Sequence, residues 1–184
     1  MGTYLGGRDT AGDRDAVARL LDQWTGSDEQ LSDSILIATS IMEPSKKNLA
    51  RILKLREKAW IDIGALTRLV WTGWAERLPT NELRDFLECL LTEDNRVSTE
   101  AALTVLMRRL DMNRSEAEVL ASSAWHALAN RSFLDSTMAT YYWGEVSKFY
   151  ESLDPLRLTH IILDMYKDDR VLFHASDEPL NTTQ

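Results

Sequence analysis

Residues that cross-link or interrupt a chain are scarce in this sequence. Among 184 residues there are one cysteine, four prolines and eight glycines. The lone Cys89 excludes an internal disulfide framework and a cysteine-ligated zinc site, and it points to a reducing, cytoplasmic setting. Four of the glycines fall within the first 12 residues. The rest of the chain therefore has long stretches without helix breakers, which favours helices.

Long apolar runs and catalytic motifs are also absent. No apolar run approaches the roughly 18 residues that a membrane-spanning helix needs, so we expect no membrane attachment. The sequence contains no glycine-rich phosphate loop, Gly-x-Ser-x-Gly turn, His-Glu-x-x-His pair or calcium loop. Because no nucleophile, acid and base converge, we expect a non-enzymatic protein without a metal or other cofactor.

The composition is that of an acidic globular protein. Hydrophobic residues make up 44% and charged residues 27% of the chain, and the formal net charge is −8. Net charge of this sign disfavours general nucleic-acid binding. We predict a single helical domain over 13–174, with a flexible leader at 1–12 and a flexible tail at 175–184.

Apolar residues recur at helical spacing throughout, and no strand-like alternation of useful length occurs. Helix starts are marked by Ser45, after Pro44, and by Asp154, before Pro155. The links between segments are short. These features predict an all-α fold of about eight helices, in an orthogonal or solenoid-like bundle around a long central helix. We assign that central helix to 45–78, which contains no proline, and Gly64 and Gly73 are its weak points.

One end of this predicted helix is strongly basic. Residues 46–58 contain six Lys or Arg and one Glu, a net +5, so the rest of the chain sums to −13. Four of the basic residues fall on one helical face. We call them the basic stripe: Lys47, Arg51, Lys54 and Lys58.

The basic stripe has three interpretations. Its charges can pair with acidic residues of the same chain, in surface contacts worth about 0–1 kcal/mol each. They can steer an acidic protein partner, where charges mainly affect association rate and register. They can also attract phosphate from nucleic acid or lipid.

The helix predicted to start at Asp135 or Ser136 carries two apolar rows. We expect the row Met138, Tyr141, Tyr142, Phe149 and Leu153 to face the core. The second row needs another cover, which can be the last helix, the C-terminal tail or another molecule. If exposed, it would be a contact patch rich in aromatic anchors. Its residues are Trp143, Val146 and Tyr150.

The segment 98–130 resembles a helix-turn-helix, with a second helix opening at Asn113 or Ser115. Its candidate contacts to nucleic acid are Arg108, Arg109, Arg114 and Ser115. The usual turn glycine is replaced by Asp111, and the second helix offers few donors to bases or phosphates.

Two further groups give weaker signals. His160, Asp164 and Asp168 share a helix face, but three ligands spread over two turns cannot all reach one metal ion unaided. Cys89 lies beside acidic residues, whereas a reactive thiol needs positive surroundings. We therefore expect a protein–protein interaction or adaptor domain that binds a protein partner or its own copy. The alternative is a nucleic-acid-binding regulator that uses 98–130.

Overall fold

The all-α class is confirmed. The structure, a computed structural model, describes residues 14–167, with side chains from residue 16 onward. Within this range there are nine α-helices, three short 3₁₀ turns and no strand. The helices are α1 (Arg14–Trp24), α2 (Ser32–Ile41), α3 (Lys46–Glu57), α4 (Ile63–Trp71), α5 (Thr80–Leu90), α6 (Arg96–Met112), α7 (Ala121–Ala129), α8 (Thr137–Glu151) and α9 (Pro155–Met165). The 3₁₀ turns are Glu29–Leu31, Ala75–Arg77 and Arg114–Glu116.

The chain divides into two compact units, 1–93 and 94–184. This division does not test the prediction of a single helical domain over 13–174, because one domain can comprise two compact units. The predicted leader at 1–12 and tail at 175–184 lie outside the described residues.

In the first unit, α5 is the central helix, because it packs against α3, α4 and the 3₁₀ turn before it. Its apolar side, including Leu83, Phe86 and Leu87, is fully buried. Trp74 is also fully buried, and its indole nitrogen donates a hydrogen bond to the Met42 carbonyl oxygen at 3.0 Å. Burial of a large aromatic ring with its polar atom satisfied contributes strongly to a helical core.

The helix that we assigned to 45–78 is broken twice. The first break, between α3 and α4, is at Ala59 and not at Gly64, whereas α4 does end at the predicted weak point Gly73, which has φ of 70°. Helix α3 ends in a Schellman motif, in which the Trp60 amide donates to the Leu55 carbonyl at 3.0 Å. Ala59 takes the left-handed conformation that this motif requires, with φ of 55°. Asp62 then caps α4 through the Ala65 amide at 2.7 Å. The break at Ala59 was not predicted because glycine is the usual residue at this position of the motif.

In the second unit, α6 is the central helix and contacts α7, α8 and the 3₁₀ turn after it. At 17 residues it is the longest helix of the described chain. Its consecutive residues from Ala101 to Leu106 are all buried, so neighbours cover it on every side along this stretch. Helix α9 follows α8 and packs on it.

Candidate functional site

Three of the four residues of the basic stripe are bound within the first unit. Lys47 forms an ion pair of 2.9 Å with Asp22 of α1. Arg51 is 4% exposed, and its guanidinium binds Asp22 Oδ1 at 2.5 Å and the Ala18 carbonyl at 3.2 Å. Lys58 donates to the Gly26 carbonyl at 3.0 Å. Arg51 therefore belongs to the contact between α1 and α3 and is not a surface cation.

The carboxylate of Asp22 responds to these two cations. Partial burial raises its pKa, but the hydrogen bonds from Arg51 and Lys47 outweigh that effect, so the pKa is lowered from its ordinary value of 3.8. Hydrogen bonds and positive charge both favour the ionised carboxylate. The first interpretation of the stripe, pairing within the chain, thus describes what Lys47 and Arg51 do.

Lys54 lies between two hollows of the first unit and is exposed. One is an open groove of about 610 Å³, lined by Ala50, Leu53, Lys54, Arg56, Glu57, Cys89 and Thr92. The other is a smaller hollow of about 220 Å³ on the side of Asp22. Burial raises the pKa of the Cys89 thiol. The thiol is therefore less ionised than an ordinary cysteine, in line with an unreactive residue.

The two apolar rows of α8 are oriented opposite to our prediction. Val146 and Tyr150 are fully buried, whereas Met138 and Tyr141 of the other row are 52% and 55% exposed. The Tyr150 hydroxyl donates to the Ala117 carbonyl at 2.9 Å, and its ring meets Trp125 edge-on with centroids 5.1 Å apart. The row of Trp143, Val146 and Tyr150, which would be a contact patch if exposed, is therefore mostly core.

Polar atoms explain which row is buried. The indole nitrogen of Trp143 donates to the Leu128 carbonyl at 2.9 Å. Leu128 lies in the last turn of α7, where carbonyl groups lack partners within the helix. The row of Trp143 and Tyr150 brings two donors to acceptors inside the unit, so both aromatic side chains can be buried without an unpaired polar group.

Trp143 itself is only half-buried and borders an apolar pocket of the second unit. The pocket has a volume of about 290 Å³. It lies between α8, α9 and the segment before α8, and its lining residues are Phe133, Leu134, Thr140, Trp143, Ile162, Met165 and Tyr166. Thr140 and Tyr166 are exposed at this pocket, whereas Phe133 and Met165 are buried. A hollow with such a lining suits an apolar side chain. Sequence reasoning identified Trp143 but missed this pocket, since its lining comes from three separate segments.

The segment that resembles a helix-turn-helix has a different second element. Residues 114–116 form a 3₁₀ turn, and α7 begins only at Ala121. No α-helix opens at Asn113 or Ser115, although Asn113 does cap the 3₁₀ turn through the Ser115 amide at 3.3 Å. Arg109 binds Glu116 at two points, Nε to Oε2 at 2.6 Å and Nη2 to Oε1 at 2.9 Å.

The remaining candidates for nucleic-acid contact lie near this turn. Arg114 is exposed, and its guanidinium carbon lies 5.1 Å from the centre of the Phe149 ring. Ser115 is exposed and donates to Asn113 Oδ1 at 2.7 Å. Arg108 is half-buried on α6. A protein that reads DNA normally presents a concentrated basic face, and in this segment Arg109 is paired with Glu116.

Two of the three candidate metal ligands named from the sequence, His160 and Asp164, lie on α9. Residues 14–167 contain no group of three His, Cys, Asp or Glu side chains placed to hold a metal ion. His160 and Asp164 are both exposed on α9, and Asp168 lies outside the described residues. None of the described helices is long and apolar enough to cross a membrane.

Comparison with known proteins gives no assignment of this chain to a family. No family model, curated protein or solved structure matches it.

Proposed function

We propose that this chain is a non-enzymatic, cytoplasmic protein-interaction or adaptor domain that binds its partner through the apolar pocket beside Trp143. The observation that carries the proposal is the half-buried Trp143 at a hollow of about 290 Å³ with a mostly apolar lining. The indole is held in place by its hydrogen bond to Leu128. A fixed aromatic ring beside a preformed hollow is typical of the residues that dominate binding energy at interfaces.

The partner that this pocket suits is a peptide segment with one large apolar side chain. Such a side chain would replace water against Phe133, Trp143 and Met165, and burying it contributes about 1.5–3 kcal/mol. The exposed rim residues Thr140 and Tyr166 can supply polar contacts around that anchor. Lys54, which is exposed in the first unit, supports a partner that also has acidic residues, whose association it would accelerate.

The alternative, a nucleic-acid-binding regulator, has weaker support. It rests on the exposure of Arg114 and Ser115 in the turn after α6. Arg109 is already held by Glu116, so the segment offers less free positive charge than its sequence suggests.

A blocking substitution tests the proposal. Thr140→Arg places a long side chain at the mouth of the pocket, and Thr140 is exposed, so we expect the free energy of unfolding to change by less than about 0.5 kcal/mol. Thr137→Arg is the matched control, because Thr137 is exposed on the same helix and does not line the pocket. Peptides selected from a random library on the full chain should share a large apolar residue.

Fluorescence polarisation then measures the affinity of those peptides for each variant. We expect at least tenfold weaker binding to Thr140→Arg and unchanged binding to Thr137→Arg. Equal binding to all three proteins would contradict the proposal, as would a selection that yields no peptide. A labelled DNA duplex at low salt tests the alternative in the same assay, and its binding should be lost with Arg114→Glu if that alternative is right.

A further inference from the structure

The outer side of α9 is an apolar stripe that no described residue covers. Leu156 is 73% exposed, more than any other large apolar side chain of the described chain, and Leu163 is 53% exposed. The exposed His160 lies between them. We call Leu156, His160 and Leu163 the outer stripe. Their spacings of four and three residues place them along one face, as in the seam of two packed helices.

The other side of α9 is already used. Leu158 and Met165 are 6% and 7% exposed and face the rest of the unit. The outer stripe is therefore not part of the core, and it lies opposite the residues Ile162 and Met165 that line the pocket beside Trp143. The outer stripe is thus separate from the pocket of the proposed function.

Two charges of opposite sign flank the outer stripe on the same edge. Arg157 and Asp164 are seven residues apart, which is two helical turns. Arg157 is exposed, and its guanidinium carbon lies 4.9 Å from the centre of the Trp125 ring. Asp164 accepts a hydrogen bond from Lys167 at 2.6 Å on Oδ1. A carboxylate has two oxygens with several acceptor positions, so Asp164 can bind a second cation.

We propose that α9 pairs with α9 of a second copy of this chain, antiparallel and with the two-fold axis at His160. Leu156 of one copy then lies beside Leu163 of the other, and the two His160 side chains meet at the axis. The same rotation brings Arg157 of each copy beside Asp164 of the other. Two such ion pairs form, because a two-fold interface uses the same patch on both molecules.

Charge complementarity selects this orientation. In an antiparallel pair, the edge with Arg157 and Asp164 on one helix lies against the same edge of the other helix. Because the two helices run in opposite directions, Arg157 of each copy then lies beside Asp164 of the other. In a parallel pair this edge would face the one with Thr159 and Tyr166, which carries no charge. A seam of about three helical turns is small for a protein interface, so we expect reversible, concentration-dependent association.

Sedimentation equilibrium of the full chain at increasing concentration is the primary test. We expect the mass to rise from that of one chain toward that of two. Leu163→Asp should weaken association at least tenfold, because it places a carboxylate against Leu156 of the second copy. His160→Leu should strengthen it at least tenfold, since a polar residue in such a seam lowers stability. Met112→Asp is the control, because Met112 is 65% exposed and lies on another helix.

A charge exchange tests the antiparallel orientation. Arg157→Asp and Asp164→Arg should each weaken association severalfold, and the double variant should restore it. A chain that stays a monomer at every concentration overturns the inference, whatever covers the stripe instead. The inference is also overturned if Leu163→Asp associates as strongly as the wild type. The same holds if the double variant associates no more strongly than the single variants.

These outcomes are separable from a failure of the proposed function. Thr140→Arg should leave self-association unchanged, and Leu163→Asp should leave peptide binding unchanged.

Discussion

Arg109 and Glu116 form a two-point ion pair that closes the turn between α6 and the 3₁₀ turn after it. The guanidinium of Arg109 contacts both carboxylate oxygens, at 2.6 and 2.9 Å. Asn113 donates a further hydrogen bond to Glu116 Oε1 at 3.0 Å. The two side chains are only 16% and 11% exposed. In this low-dielectric setting a parallel pair of charge-assisted hydrogen bonds is strong, and it fixes the cation that we had predicted to contact nucleic acid.

Removing the carboxylate should therefore destabilise the second unit. Glu116→Ala leaves the guanidinium of Arg109 without its main partner, and we expect a loss of about 2 kcal/mol in the free energy of unfolding, less than for a fully buried pair. Urea unfolding followed by circular dichroism measures it. Glu118→Ala is the control, because this exposed side chain forms no hydrogen bond with described residues. Equal losses in both variants would show that the ion pair has no special role.

The orientation of α8 predicts that substitutions on its two faces change stability by unequal amounts. Val146→Ala removes methyl groups from a fully buried site, so we expect a loss of about 2 kcal/mol. Tyr141→Ala changes a side chain that is 55% exposed, and we expect a change below about 0.5 kcal/mol. Thermal unfolding of the two variants decides between the faces. A larger loss for Tyr141→Ala would mean that α8 is rotated relative to this structure.

The left-handed Ala59 predicts a stabilising substitution. A residue with a Cβ is disfavoured at a φ of 55°, and glycine is not. We expect Ala59→Gly to raise the free energy of unfolding by about 0.5–1 kcal/mol, because the relief of strain exceeds the greater freedom of glycine in the unfolded chain. Chemical unfolding measures the difference. Lys54→Gly, at an exposed position inside α3, should instead destabilise by about 1 kcal/mol, and a loss in both variants would contradict the αL assignment of Ala59.

The pKa of Asp22 predicts an acid-sensitive contribution to stability. Its pKa is lower in the folded chain than the ordinary value of 3.8. The contribution is thus present above about pH 4 and is lost as pH falls through the folded pKa. Asp22→Asn should lower stability by about 1 kcal/mol or less near neutral pH, since the carboxylate is 40% exposed and screened by solvent.

Unfolding of wild type and Asp22→Asn at a series of pH values checks this expectation. The two curves should converge as the pH falls below 4. Asp33→Asn provides the comparison, because Asp33 is exposed and forms no hydrogen bond with described residues through its side chain. A difference between wild type and Asp22→Asn that persists unchanged at low pH would rule out the ion pairs as its cause.

Several features of the fold could be predicted because they depend on residues near one another in sequence. Ser45 and Asp154 do cap α3 and α9, through the amides of Asn48 at 3.3 Å and Arg157 at 3.0 Å. An N-cap is a contact across three residues, so its signal is local. The break at Ala59 was missed for the opposite reason. The Schellman motif there uses alanine where glycine is typical, so the composition carries no stop signal.

The candidate site was less predictable than the helices. Lys47, Arg51 and Lys54 lie on α3 at the spacing of one helical face, and Lys58 is the residue just after its end. Which of them stays available depends on Asp22 and Gly26, which lie more than 20 residues earlier in the chain. In the same way, no local sequence pattern predicts that Phe133, Trp143 and Met165 line one pocket.

By itself, the sequence determined the helical class, many of the helix positions and which apolar residues share a helix face. These features depend on hydrogen bonds within helices and on side-chain periodicity, which are local. Only the tertiary structure decided which apolar row of α8 is buried and which cations are held in ion pairs. Those choices depend on carbonyl and carboxylate acceptors from distant segments, at Ala117 and Leu128 for α8 and at Asp22 for α3. A buried donor requires such an acceptor, and the fold alone brings the two together.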